Sequence, residues 1–475
     1  MSPDPRPLRL CVLVAALLVA GCATPPAIDP ARLPPIPLSF AGAGGKWTAT
    51  APAELPAFGE WWKAFGDPVL DGLMAGAMER NDRIHIAASR LEQARALLRA
   101  AEGRRLPQVG LAAGAFRGTR PDMGPAAATS LSAGATFSYE VDVFGKIARA
   151  TDAARLDTDA RESLLRSARL LIQAEVAHTY FTLRALDAET AIVQDTVLAY
   201  ADTLRLTESR FRAGDVAELD VVRVRAEKAA AQSQALAIRR ERAELEHTLA
   251  VLVGEVASTF SLAPSQWTGS APAIPAGVPA VVLARRPDVS AAQQALLAAQ
   301  ARVGVAQSAW FPDVQLTASG GFASSGLSDV FKWSARAWGV GALLSLPIFD
   351  GRREGTIAAA AAEMDGALSS YREQVLVAFK DVEDQLSSLR LLGEQAQAEA
   401  EAVASARRAT ALSNARYRGG FISQFELLDA QRNELRSRRM ETQVRAAQFQ
   451  TTVRLVRALG GSWDNPAAPA VATRE

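Results

Sequence analysis

The chain is written twice. Slid against itself, the sequence gives one persistent offset: Leu106-Pro107 matches Phe311-Pro312 and Phe144-Gly145 matches Phe349-Asp350 at a separation of 205 residues. Farther on, Arg210-Phe211-Arg212-Ala213-Gly214 matches Arg416-Tyr417-Arg418-Gly419-Gly420, and Val253-Gly254 matches Leu459-Gly460, at 206. Landmarks this far apart that drift by one residue describe a tandem duplication, so any fold must be assembled from two versions of one unit. The expected division is a first repeat over 68–254 and a second over 288–460, joined by a Pro-rich linker over 255–287. Segments 22–67 and 461–475 flank the pair.

Each repeat reads as a helix, two strands, a very long helix, a tight turn and a returning helix. Neither Gly nor Pro occurs from Lys146 to Ala213, where Ala, Arg, Leu and Glu dominate. One continuous helix over 146–213 would be about 100 Å long at 1.5 Å per residue. Gly214 breaks it, and 215–253 returns as a second helix. The second repeat follows suit with helices over 356–418 and 423–459, broken at Gly419-Gly420, and no proline falls between Pro347 and Pro466.

The strands carry the other period. Leu131, Ala133, Ala135, Phe137, Tyr139, Val141 and Val143 alternate with Ser132, Gly134, Thr136, Ser138, Glu140 and Asp142. Trp338, Val340, Ala342, Leu344, Leu346 and Ile348 alternate with small residues in the duplicate. Partner strands fall near 108–118 and 313–323, which makes a hairpin over 106–144 and another over 312–349. Strands of about 10 residues with one apolar face have the length a membrane β-strand needs.

Four such strands cannot span a bilayer alone, because an open edge leaves backbone N–H and C=O groups unpaired in hydrocarbon. Closure must come from further copies. Two copies would make an eight-stranded barrel filled by its own side chains, whereas three make a twelve-stranded barrel with room for a lumen. A homotrimer is therefore expected, its Ala-rich helices packed side by side into a second, helical barrel. The fold class is mainly α with transmembrane β.

The N-terminus fits this destination. Arg6 and Arg9 precede an apolar run from Leu10 to Ala20, which ends in Leu18-Val19-Ala20-Gly21-Cys22. The run is too short to span a bilayer, and small residues directly before a cysteine are what lipoprotein processing requires, so 1–21 reads as a signal peptide. Cys22 is then the lipidated first residue, carrying a covalent diacylglycerol and an N-acyl chain, and Ala23 in place of Asp matches the lipoprotein pattern that sends such proteins to the outer membrane. With Cys11 removed and Cys22 acylated, no thiol remains for a disulfide, a metal cluster or catalysis. A net charge of +1 offers no basic face for nucleic acid. His85, His178 and His247 lie too far apart for a ligand set, and Asp381, Glu383 and Asp384 read as the wet face of a long helix, so neither a cofactor nor an enzyme is expected.

Several stretches together resemble TolC-like outer-membrane efflux lipoproteins of the OprM/NodT type. They are Trp61-Trp62, Phe65, Asp67-Pro68, Leu70 and Asn81-Asp82, then Tyr139 through Lys146, Arg285-Arg286-Pro287-Asp288-Val289, Pro347-Ile348-Phe349-Asp350-Gly351 and Leu427-Leu428-Asp429-Ala430-Gln431. The resemblance covers nearly all of the chain after Cys22. It implies the exit duct of a tripartite efflux pump: a homotrimer in outer-membrane lipid, docked to a periplasmic adaptor and fed by an inner-membrane resistance-nodulation-type pump. The helix turns at Gly214, Gly419 and Gly420 would form the periplasmic tips where the adaptor docks.

The same resemblance places the gate. Carried over by position, Phe425 and Asp429, with Glu426 beside them, line the periplasmic constriction, and Asp220 and Tyr417 form a latch that holds it closed. Three carboxylates gathered at one aperture repel each other and favour cations, so an Asp ring needs restraint. Two departures stand out: Phe425 where several relatives carry Leu, and Ile422 where some carry a basic gate partner. Rival readings are a lipid-anchored coiled-coil stalk, which leaves the strands and the duplication unexplained, and the same duct serving heavy-metal efflux or type I protein secretion.

Overall fold

The structure is a computed structural model that describes residues 27–37, 40–41, 60–120, 124–267, 269–274 and 279–461. Its helices are α1 Pro68–Arg80, α2 Asp82–Gly103, α3 Lys146–Arg212, α4 Glu218–Leu252, α5 Pro279–Arg285, α6 Pro287–Gln307, α7 Arg353–Arg418 and α8 Gln424–Ala458. The strands are β1 Gln108–Arg120, β2 Gly124–Val141, β3 Asp313–Ser324 and β4 Arg336–Ser345. Among the described residues no helix is long and apolar enough to cross a membrane.

The chain forms two compact units, and neither coincides with a repeat. One takes Met1–Leu33, Ser89–Ser163 and Ala291–Glu373; the other takes Pro34–Ala88, Leu164–Ser290 and Gln374–Glu475. Each draws on both copies of the duplication.

The first unit holds a single antiparallel sheet in the order β1-β2-β3-β4, in which β2 and β3 pair although a whole helical hairpin separates them in sequence. Register sorts the side chains into rows. Val109, Phe137, Ala318 and Val340 stand in one row, and Leu111, Ala135, Gly320 and Trp338 in the next row on the same face. The other face carries Gly110, Thr136, Ser319 and Gly339, then Gln108, Ser138, Thr317 and Gly341. One side is thus apolar and the other small and polar, as period-two alternation requires. Gly134 and Gly321 oppose each other across β2 and β3, where a Cβ on either would collide with the other's backbone. In the same unit, Leu296, Ala299, Val303, Met364 and Leu368 form an apolar cluster that Ile28 and Leu33 pack against.

The strand boundaries differ from the sequence reading. β2 starts at Gly124 and so runs longer than expected, while Val143, Leu346 and Ile348 lie outside the sheet. Asp142 explains one end: its carboxylate accepts from the backbone N–H of Ile147 at 3.0 Å and of Ala148 at 2.7 Å, capping α3 and turning the chain out of the strand. Pro347 explains another, since it has no N–H with which to extend the ladder.

The second unit contains aromatic clusters and buried polar and charged contacts between its helices. Asp67 caps α1 by accepting from Val69 N at 3.0 Å, and Tyr180 donates to its other oxygen at 2.5 Å. Burial, with that hydrogen bond, pushes the Tyr180 phenol up to about 12. Trp61, Phe65, Phe181, Phe449 and Trp267 stack edge-on or tilted nearby. The duplication is visible in how returning helices are closed. Asn81 Nδ2 donates to Leu252 O at the end of α4 at 2.8 Å, and Arg286 Nη1 donates to Ala458 O at the end of α8 at 3.2 Å. Arg286 is buried and is balanced by Asp288 and Asp381.

Candidate functional site: the two helix turns and the residues beside them

The site is built at the ends of α3 and α7, both in the second unit. Each long helix stops in the same way. Gly214 has φ 84 and Gly420 has φ 78, the left-handed conformation that costs a side chain dearly. Gly214 N donates to Phe211 O at 3.0 Å and Asp215 N to Arg210 O at 2.9 Å; Gly420 N donates to Tyr417 O at 3.0 Å and Phe421 N to Arg416 O at 2.9 Å. The paired bonds satisfy carbonyls that the helix end leaves open. Gly419, which precedes the left-handed position, leaves room for the ring of Phe421.

Past the second turn, α8 divides its side chains cleanly. Gln424, Leu427 and Leu428 are buried, while Phe425 is 59% exposed and Glu426 and Asp429 are exposed beside it. Leu428 packs with Tyr200, Val224 and Ala231. Phe425 and Asp429 are four residues apart, so they stand one turn apart on one helix face, and both point away from the chain's own core. Asn433 Nδ2 donates to Asp429 at 3.3 Å from the next turn. Arg432 follows on that face and pairs with Glu227 of α4, whose hydrogen bond raises the guanidinium further. Burial, with Glu227 nearby, pushes the Tyr200 phenol up to about 12.

Glu426 has a second task that the sequence reading did not assign. Ser423 Oγ accepts from Glu426 N while Glu426 reaches back to Ser423 N at 3.4 Å, a reciprocal cap on α8. The motif Ser423-Gln424-Phe425-Glu426 carried that signal.

The expected pairing of Asp220 with Tyr417 is absent within the chain. Asp220 lies 4.0 Å from Arg223 on its own helix. Tyr417 is 2% exposed, and its hydroxyl donates to Gln424 Oε1 at 2.7 Å and lies 3.1 Å from Thr207 Oγ1. Thr207 Oγ1 is 2.6 Å from the same Gln424 oxygen. Arg210 of α3 completes the arrangement. It stacks on the Tyr417 ring at 4.7 Å and donates to the carbonyls of Tyr417 and Arg418 at 3.0 and 3.2 Å. Thr207, Arg210 and Gln424 were missed from sequence, though Thr203 and Thr207 at helical spacing on an otherwise apolar face were a usable sign. Cys22 lies outside the described residues.

The outer membrane efflux protein family model matches the sequence twice, over residues 73–255 and 278–461. The solvent efflux pump outer membrane protein SrpC of Pseudomonas putida is 32% identical over 464 residues, spanning 95% of this chain and 97% of its own. The pyoverdine export outer membrane protein OpmQ of Pseudomonas putida KT2440 is 32% identical over 478 residues, spanning 97% and 99%. Among solved structures, the outer-membrane channel OprN superposes with a TM-score of 0.86 at 29% identity, covering 93% of this chain and 100% of its own.

Proposed function

The chain belongs to the outer membrane efflux protein family, and on that premise we propose that three copies close into a twelve-stranded barrel that discharges small toxic compounds through a gate at the helix turns. In coarse terms the protein is an outer-membrane efflux channel of TolC-like fold, the outer component of a tripartite pump, and not an enzyme. The observation that carries the finer reading is the sheet. It has one apolar face and two unpaired edges, β1 and β4, so only neighbouring copies can complete its hydrogen bonding in lipid.

The repeats divide the work: a hairpin and two long helices in each of 68–254 and 288–460, with 22–67 and the linker 255–287 bracing them. Cys22 holds the chain to the outer membrane through its diacylglycerol and N-acyl chains, in support of which Ile28 and Leu33, a few residues beyond it, seat in the unit that carries the sheet. The turns at Gly214, Gly419 and Gly420 receive a periplasmic adaptor, and an inner-membrane pump supplies the cargo. Relatives equally similar to this chain are named for solvent efflux and for pyoverdine export, which supports cargo selection by the pump.

Phe425 and Asp429, with Glu426 beside them, form the constriction. Three copies bring three such carboxylates together, and their repulsion must be overcome by contacts elsewhere at the tips. Asp429→Ala removes charge and bulk from the aperture. In planar bilayers, assembled Asp429→Ala channels are expected to conduct several-fold more than the wild type; an unchanged conductance from correctly assembled protein overturns the gate. Asp220 faces the same end of the molecule and in this reading engages a neighbouring copy, so Asp220→Ala raises conductance less than Asp429→Ala does.

A further inference from the structure

Gln424 is 4% exposed, and its Nε2 has no hydrogen-bond partner. Its Oε1 meanwhile faces two hydroxyls, Thr207 at 2.6 Å and Tyr417 at 2.7 Å. Thr207, fully buried, has one O–H and three acceptors around it: Thr203 O at 2.8 Å, Gln424 Oε1 and Tyr417 Oη at 3.1 Å. One proton cannot serve all three. Two turns farther along α8 a related pattern recurs, since Gln431 Nε2 donates to Thr203 at 3.4 Å and its own Oε1 is buried without a partner. Two glutamines of α8 therefore meet two threonines of α3 in a polar seam that is buried at Gln424 and Thr207, part-buried at Gln431, and only partly satisfied.

Such a seam attaches helices less firmly than apolar packing of the same area, because buried polar atoms without partners cost stability. Rotating the Gln424 amide would exchange one arrangement for another: Nε2 would donate to the hydroxyls and Oε1 would be left over, with a similar number of bonds. The seam is specific to the second turn. At the repeat offset, Gln424, Tyr417 and Thr207 correspond to Glu218, Phe211 and Ser413, and Phe211 is 43% exposed. The polar contact was built only under the turn that presents Phe425 and Asp429.

We propose that Thr207 and Gln424, acting with Tyr417, are positioning residues of the gate: their buried, under-satisfied hydrogen bonds hold the start of α8 against α3 in the closed state and exchange when it opens. This rests on the reading of Phe425 and Asp429 as the constriction. None of these three side chains needs to reach the lumen; they act by fixing where the first turn of α8 sits.

The test uses full-length channels in planar bilayers. Thr207→Val keeps the shape and deletes the hydroxyl, and it should raise conductance several-fold, whereas Thr207→Ser should behave as wild type. If Thr207→Val conducts like the wild type while Asp429→Ala conducts more, the seam has no part in gating and the constriction stands. If Asp429→Ala is also unchanged, the constriction itself falls. A second variant guards against misassembly: Thr207→Cys with Gln424→Cys in the Asp429→Ala background. Oxidation should lower its conductance and a reductant should restore it. Conductance indifferent to redox state, with the cross-link verified by mass spectrometry, overturns the proposal.

Discussion

The two turns share a backbone and almost nothing else. Gly214 and Gly420 close α3 and α7 with the same pair of hydrogen bonds and nearly the same φ. At the first, Ala217 begins α4 without any side-chain cap, Phe211 is partly open to solvent and Asp220 turns to its own Arg223. At the second, Ser423 and Glu426 cap each other, Tyr417 is buried and Arg210 reaches across from α3 to hold the last carbonyls of α7. Charge differs as well: Arg223 occupies the position that Asp429 holds at the repeat offset. Duplication supplied the turn twice, and divergence of side chains gave only one of the two a fixed seat on its neighbour.

That contrast can be attacked where it predicts equality and where it predicts difference. The largest effect is expected from Gly214→Val and Gly420→Val. A β-branched residue at positive φ costs on the order of 1–3 kcal/mol, and the loss should be equal at the two turns because their backbones match. Amide hydrogen exchange at each turn measures it, and a clear inequality would mean that the turns are not equivalent. Next comes Ser423→Ala, which removes one half of a reciprocal cap and should cost about 1 kcal/mol, read as faster exchange over the first turn of α8. The reverse change, Ala217→Ser, should stabilise the start of α4 by roughly 0.5–1 kcal/mol. Should Ala217→Ser leave exchange untouched, the first turn is limited by something other than its missing cap. Smallest is Phe211→Tyr, which has no buried glutamine to meet and should change neither exchange nor conductance.

The same contrast separates what was legible in the sequence from what was not. Long helices, their breaks at Gly214 and Gly420 and the alternation of Leu131 through Val141 follow from local rules of period and glycine placement, so they could be read directly. Lateral pairing could not. That β2 lies beside β3, or that Gln424 faces Thr207, depends on which faces meet across long stretches of intervening chain. Glu426 shows an intermediate case. Its spacing from Ser423 announced the cap, a role that stands beside its exposed place next to Phe425 and Asp429. Strand ends were misplaced for a related reason: Val143 keeps the apolar rhythm of β2, yet Asp142 has already turned the chain to start α3.

The sheet has a genetic consequence. Its outer strands are different sequences, β1 on one side and β4 on the other, so each copy offers two unlike handles, and the proposed ring would join one kind to the other throughout. A copy spoiled along β4 alone keeps a sound β1 and can still be taken up by its neighbours, after which the circle has nowhere to finish. Cells making a mixture of sound and spoiled copies should therefore lose far more than their share of working assemblies, and a defect on one strand should behave as a dominant one.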